Sequence, residues 1–434
     1  MLYLTKDFFP IFVPLGVIGF YRYMIFFIKL MAWGVYRPIR PIKNPLYRAD
    51  QDVTIVVPTI DAGEEFVEAA RSWLACNPKE ILVVTEEAVR EQIQTLIAER
   101  IHHSAAEKIR VLSVPKASKR IQMVKGIQHT TTDILVFADD DAIWKPTMLD
   151  YILACFEDES IGGVGTSQTV KPLHKWRSIW EVLAGFRLTI RNIEVAASTH
   201  IDGGVCCISG RTAAYRTIIL KDPSFQHNFV NDYWRGKYLL NSGDDKFLTR
   251  WMISHGWRTY MQVCPEAELL STFKDNWRFL NQVLRWTRNT WRSDFRSLFV
   301  ERFIWTRHPF VAYTMIDKIF NPLTLLSGPA SVIVLCFLQY HLPQWNIASS
   351  YIVWLCLTRL VKLSPHLVRW PHHFVALPAF LLFNFYFACM KIYALFTLNV
   401  TGWGTRKEAP AAAATTTAIP TPVAAERLAA SQQT

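Results

Sequence analysis

The sequence predicts a mixed α/β domain with a mainly parallel, doubly wound sheet, set between transmembrane and interfacial α-helices. Three observations carry this. Apolar β-rich runs alternate with polar, helix-like segments through the middle of the chain, one long apolar stretch precedes them, and several come after. At 434 residues, a net charge of +11, 51% apolar residues and a mean hydropathy of +0.13, the chain is too apolar for an ordinary soluble enzyme of its length.

Residues 1–36 form the first element. The stretch from Phe8 to Tyr36 is long enough to cross a hydrocarbon core of roughly 30 Å. It is interrupted only by Arg22 and Lys29, which can snorkel or face protein. It is too long for a cleaved signal core, and no small-residue cleavage site comes after it. The linker 37–51 carries Arg37, Arg40, Lys43 and Arg48 before its first acidic residue, Asp50, so the positive-inside rule puts the α/β segment in the cytosol. In 52–272 the runs VTIVVP (53–58), EILVVT (80–85), IRVLSV (109–114) and DILVFA (133–138) are continuously apolar rather than alternating. Strands of that kind are covered on both faces, as in parallel sheets whose ligands sit at the strands' carboxyl ends. In 273–310 Trp and Arg recur at helical intervals, the pattern of an amphipathic helix in the headgroup layer. The region 311–400 holds three apolar stretches, at about 311–340, 347–363 and 373–398, with Pro322, Pro365 and Pro378 as candidate breaks. Four crossings would leave Gly402 on the side opposite the catalytic domain unless one stretch lies in the interface or doubles back. A short loop, 401–408, and an Ala/Thr/Pro-rich, low-complexity tail, 409–434, complete the chain. The eight cysteines form no CxxC pair and are expected to be reduced thiols. The basic excess sits beside the apolar segments, which points to phospholipid and diphosphate rather than nucleic acid.

The chemistry concentrates in three motifs. The fourth strand runs directly into Asp139, Asp140 and Asp141. Alternate carboxylates Asp139 and Asp141 at a strand's carboxyl end can share one hard cation, Mn2+ or Mg2+, bridging diphosphate oxygens. Alone, such a triplet reads as a solvated turn; its companions reverse that. Asn241-Ser242-Gly243-Asp244-Asp245 opens a helix, where backbone N–H groups keep a carboxylate ionised and able to accept a proton from an attacking hydroxyl. In Gln282-Val283-Leu284-Arg285-Trp286, the i, i+3, i+4 spacing brings Gln282, Arg285 and Trp286 to one helical face. A merely amphipathic helix would account for the Arg and Trp but not for the Gln.

This order, DxD, GDD, QxxRW and a late Trp403-Gly404-Thr405-Arg406, resembles the hyaluronan, cellulose and chitin synthase group of family 2 glycosyltransferases, and within it the fungal capsule-type polysaccharide synthases. The resemblance covers nearly the whole chain except the tail, and implies a GT-A type domain. It further implies a UDP-sugar donor, a growing glycan acceptor and an integral, plasma-membrane location. On that resemblance Asp139, Asp140 and Asp141 reach the nucleotide and its metal, Asp245 is the general base with Asp244 beside it, and Lys119-Arg120 contact the diphosphate. Ser209-Gly210 resembles the acceptor segment; Gln282, Arg285 and Trp286 lie at the acceptor end, where Trp286 would stack on the terminal sugar and Arg285 would approach the diphosphate. Trp403 and Arg406 resemble a loop that closes over nucleotide. Three departures stand out. Thr85-Glu86-Glu87 replaces the usual acidic-Gly-Ser sequence, so Glu86 is the expected uracil contact. Pro58-Thr59-Ile60-Asp61 replaces an aromatic-Asn loop, leaving Thr59 as the donor-side residue. Arg211 stands where Pro is frequent. The nearest rival is a non-processive transferase acting on a lipid acceptor, similar to ceramide glucosyltransferase; a scaffold that has lost activity has no physical need for acidic residues at all these positions.

Overall fold

The computed structural model describes residues 13–172, 177–273, 276–337 and 344–402. Its twelve strands are β1 (Val53–Pro58), β2 (Glu80–Glu86), β3 (Ile109–Val114), β4 (Ile134–Ala138), β5 (Ala142–Ile143), β6 (Ile161–Thr166), β7 (Gln168–Val170), β8 (Thr212–Arg216), β9 (Tyr233–Trp234), β10 (Tyr238–Leu239), β11 (Arg258–Gln262) and β12 (Leu269–Ser271). Among the described residues the central sheet has the order β11-β6-β8-β4-β1-β2-β3. All its pairings are parallel except those of β8, which runs antiparallel to both β4 and β6. The four apolar runs read from sequence are β1 to β4, two of them displaced by one residue at an end.

Alternation along β1 shows why those runs are continuous. Val53, Ile55 and Val57 enter one core with Phe66, Trp73 and Phe156, while Val56 enters the other with Tyr215, Phe225 and Phe229. The helix Lys119–His129 lies so close to β1 that a Cβ on Gly126 would stand 2.3 Å from Val56 Cγ1. That close approach fixes where the helix's first turn meets the strand ends.

Among the described residues, four helices are long and apolar enough to cross a membrane: Val17–Val35, Pro309–Phe337, Gln344–Arg369 and Pro371–Phe396. The expected breaks at Pro322 and Pro365 are absent, since both prolines lie inside continuous helices; neighbouring residues and packing tolerate the lost N–H. Pro378 falls in the first turn of Leu377–Phe396, where no N–H is needed.

Three of these helices have one end on the α/β domain. Tyr36 donates to the Met261 carbonyl at 2.7 Å, Val311 N–H donates to Asp202 at 3.1 Å, and Arg369 pairs with Glu268 at 3.7 Å. The fourth differs, lying along the helix Arg278–Phe295 from end to end. Phe383 stacks on Phe279, Trp291 donates to the Lys391 carbonyl at 2.9 Å, and Arg292 donates to the Val400 carbonyl at 3.3 Å. Its apolar window is 33% buried, against 11–17% for the other three. Both of its ends therefore meet the domain side. A thiol introduced by Thr401→Cys, in a background with Cys389→Ser, is expected to react with an impermeant maleimide from the same membrane face as one introduced by Glu107→Cys. Labelling of the two from opposite faces would show that the last helix crosses.

Candidate active site

The carboxyl ends of β1, β2 and β4 meet the starts of three helices. Asp139, immediately after β4, is fixed by its N–H donating to the Arg211 carbonyl at 3.0 Å, and its Oδ1 accepts from Lys119 Nζ at 2.9 Å. Asp140 is buried and accepts from the Thr59 hydroxyl at 2.6 Å; Asp141 accepts from the Thr272 hydroxyl at 3.0 Å. Gln122 props the Thr59 loop, donating to the Thr59 and Val84 carbonyls at 2.8 and 2.7 Å. Glu86 ends β2, half-buried, paired in register with Val114.

The second group comes from the helix Asp244–Ser254, whose N-cap Gly243 has φ +80°, the left-handed backbone that glycine adopts freely. This turn sends Asp244 inward to an ion pair with Lys119 at 3.1 Å, a charge contact without hydrogen-bond geometry. Asp245 takes the backbone N–H of Lys246 on Oδ1 at 2.8 Å and the Cys207 thiol on Oδ2 at 3.2 Å. Ser209-Gly210 lies against both carboxylates: a Cβ on Gly210 would stand 3.3 Å from Asp244 Oδ2 and from Asp245 Cβ.

The environments of the two carboxyls are opposite. Burial opposes the charge of Asp244, but Lys119 and Arg120 outweigh it and hold the group below its ordinary value. Burial raises Asp245, and the neighbouring Asp244 raises it further. Lys119 is buried as well, yet Asp139 and Asp244 more than offset the desolvation and keep it charged above the usual lysine range.

The helix Arg278–Phe295 brings the third motif. Burial lowers the pKa of Arg285, countered by the charges of Asp244, Asp139 and Asp245. Gln282 Oε1 and Arg285 Nε are buried without a partner among the described residues. Trp286 meets Phe273 edge-on, and Arg211 lies over both rings.

Arg120 requires a correction. It is 3% exposed, donates to the Phe229 carbonyl and to Asp232, and lies over Phe229 and Phe247. Its guanidinium ties the domain together instead of facing a diphosphate. Trp403 and Arg406 lie outside the described residues. Three groups were not picked out from sequence: Cys207 on the Asp245 carboxylate, Arg191, whose charged surroundings include Asp245, and Arg211 as an aromatic-stacked cation. The basic residue directly after Ser209-Gly210 was the available signal for the last.

The donor set suits a hard cation. Asp139 and Asp141 offer carboxylate oxygens without His or Cys, and no three-ligand cluster exists among the described residues, so substrate phosphate would complete the shell, as is usual for Mg2+ or Mn2+.

A family model described as glycosyltransferase-like family 2 matches residues 50–289. A type 2 glycosyltransferase of Gibberella zeae is 36% identical over 90% of this chain and 75% of its own length. The NDP-glycosyltransferase ltbB of Aspergillus luteorubrus is 31% identical over 87% and 96% respectively. Human hyaluronan synthase 3 is 28% identical, covering 63% of this chain and 47% of itself. Among solved structures, the mannosyltransferase PcManGT of Pyrobaculum calidifontis, in complex with GDP-Man and Mn2+, superposes with a TM-score of 0.57 at 15% identity, covering 88% and 96% of the two chains. The fold is thus GT-A-like.

If Asp245 is the titrating base, the acid limb of kcat/KM reports its raised pKa, and activity falls as pH drops through it. Asp244→Asn removes the like charge and is expected to move that limb to lower pH. An unmoved or upward-shifted limb would assign the titration elsewhere.

Proposed function

Because the chain belongs to glycosyltransferase family 2, we propose that it is a membrane enzyme with a cytosolic active site, transferring sugars from UDP-sugar donors to the end of a growing polysaccharide destined for the cell surface. The observation that carries this reading is the convergence of Asp139, Asp244, Asp245 and Arg285, from three separate motifs, with Lys119 on one charged centre. Uridine would lie over the ends of β1 and β2, against Glu86, while the buried Thr59 holds Asp140 from beneath. Lys119 and Arg285 supply positive charge for the diphosphate as the glycosidic bond breaks. Asp139 and Asp141 would hold a Mn2+ or Mg2+ ion, which would supply further positive charge against the leaving diphosphate.

Asp245 accepts the proton of the acceptor hydroxyl, and Trp286 offers a face for the terminal ring, the usual platform for a sugar's C–H surface. Deprotonation and attack from the face opposite the diphosphate invert the anomeric centre, giving a β-linkage from a UDP-α-sugar. The similarity to hyaluronan synthase 3 and the apolar helices support a polymer product at the plasma membrane. Trp403 and Arg406 would close over bound nucleotide and exclude water. A second reading, transfer of one sugar to a lipid acceptor, is favoured by an amphiphilic cavity between the apolar helices.

Membranes carrying the wild-type chain, offered UDP-sugars singly and in pairs with Mn2+ or Mg2+, are expected to release UDP and form a high-molecular-weight product digested by β-specific glycosidases. Asp245→Asn should reduce turnover by about 10²–10⁴-fold. A single-sugar lipid product would transfer support to the second reading, and an undiminished variant would displace Asp245 as the base.

A further inference from the structure

Between the apolar helices lies a cavity of about 600 Å3 whose charge is far from balanced. Arg22, Lys29, Lys318, Arg359, Lys362 and Lys391 line it against two carboxylates, Glu194 and Asp317, an excess of four positive charges. Arg22 pairs with Asp317 at 3.4 Å, and Glu194 is shared by Lys29 at 3.3 Å and Lys318 at 2.9 Å. Among the described residues, Arg359 and Lys362 have no carboxylate within ion-pair distance. Unbalanced charge within a bilayer is expensive and calls for a counter-anion.

The charges and the apolar wall are segregated along the helices. At 1.5 Å per residue, the cations of the first, Pro309–Phe337 and Gln344–Arg369 helices lie about 9–20 Å from those helices' domain-side ends. Ile18, Val332 and Ile347 lie on the same cavity about 25–35 Å from those ends. The hydroxyls of Thr324, Ser331 and Ser350 all donate to carbonyls of their own helices, so the distal wall presents little to a hydroxyl-rich ligand. The cavity volume falls within the range of small-ligand sites, roughly 300–1,000 Å3.

We propose that this cavity binds a lipid whose phosphate headgroup is net anionic, with the headgroup on Arg359, Lys362 and Lys29 and the chain against the distal apolar wall. Phosphate oxygens match a guanidinium in bidentate fashion and accept from several ammonium groups at once. The site adjoins the catalytic centre: Glu194 on the cavity and Arg191 near Asp245 are three residues apart on the helix Ile179–Asp202. The lipid occupies this place whether the acceptor is a glycan or the lipid itself, so its binding is separable from activity.

The test is native mass spectrometry of the full-length protein in neutral detergent, offered phosphatidylglycerol, phosphatidylcholine or inorganic phosphate. Wild type is expected to retain about one phosphatidylglycerol per chain, with at least about tenfold preference over phosphatidylcholine and no displacement by millimolar phosphate. Arg359→Gln with Lys362→Gln should lose that preference, and Lys362→Arg should keep it. Equal retention of the two lipids, displacement by free phosphate, a co-purifying glycan in their place, or full retention by the double variant would each overturn the assignment. If the double variant fails to fold, the wild-type preference and the phosphate competition decide.

Discussion

The Lys119 ammonium, held between Asp139 and Asp244, is the interaction on which the rest of the centre depends. It joins the end of β4 to the start of the helix Asp244–Ser254, two elements separated by more than a hundred residues of chain. Without a cation between them, the half-buried Asp139 and the buried Asp244 would repel, and the second helix would have no electrostatic reason to point its N-terminus at the sheet. Lys119 can serve because Gly126 lets its helix lie directly on β1, bringing the first turn level with the strand ends. The local backbone choices at Gly126 and Gly243 are therefore conditions for one charge arrangement.

Around that arrangement runs a set of struts that ties the charged centre to the apolar helices. Asp232 binds Arg120 from the first helix after β3 and Arg296 just beyond the motif helix. Ser242, one residue before the turn at Gly243, donates to Asn289, and Lys246 reaches Asp294 at 3.7 Å. The motif helix in turn holds the last helix through Trp291 and Arg292. A displacement of the apolar helices thus reaches Asp244 through few intermediates.

The strands and carboxylate clusters were legible in the sequence because each is a local pattern: buried β-runs, and acidic residues at a strand end and a helix start. What was not legible depends on direction in space. Lys119 and Arg120 look equivalent as a basic pair, but successive helical residues diverge by about 100°, so one faces the strand ends and the other the aromatic core of Phe229 and Phe247. The helix Ile179–Asp202 was absorbed into the α/β domain, since Arg187, Arg191 and Glu194 break its apolar run. Its role as the floor between domain and apolar helices appears only once Glu194 meets Lys29 and Lys318. The topology conflict arose from counting apolar stretches. Composition cannot distinguish a helix that leaves the domain from one that lies along another helix; the Phe279–Phe383 stack and the Trp291–Lys391 and Arg292–Val400 bonds separate them.

Asp244 and Asp245 are adjacent carboxyls at one helix N-terminus. They share the same dipole, so the dipole cannot distinguish them; only side-chain partners can. Asp244 receives Lys119 and the field of Arg120 and stays ionised, whereas Asp245 receives a backbone N–H and a weak thiol donor. Its neighbour's fixed charge raises its proton affinity further. Divergence of this kind separates a structural carboxylate from a proton acceptor. It also assigns Lys119 a role beyond positioning: by fixing the charge on Asp244, the same ammonium that helps assemble the centre sustains the field that makes Asp245 the more basic of the two.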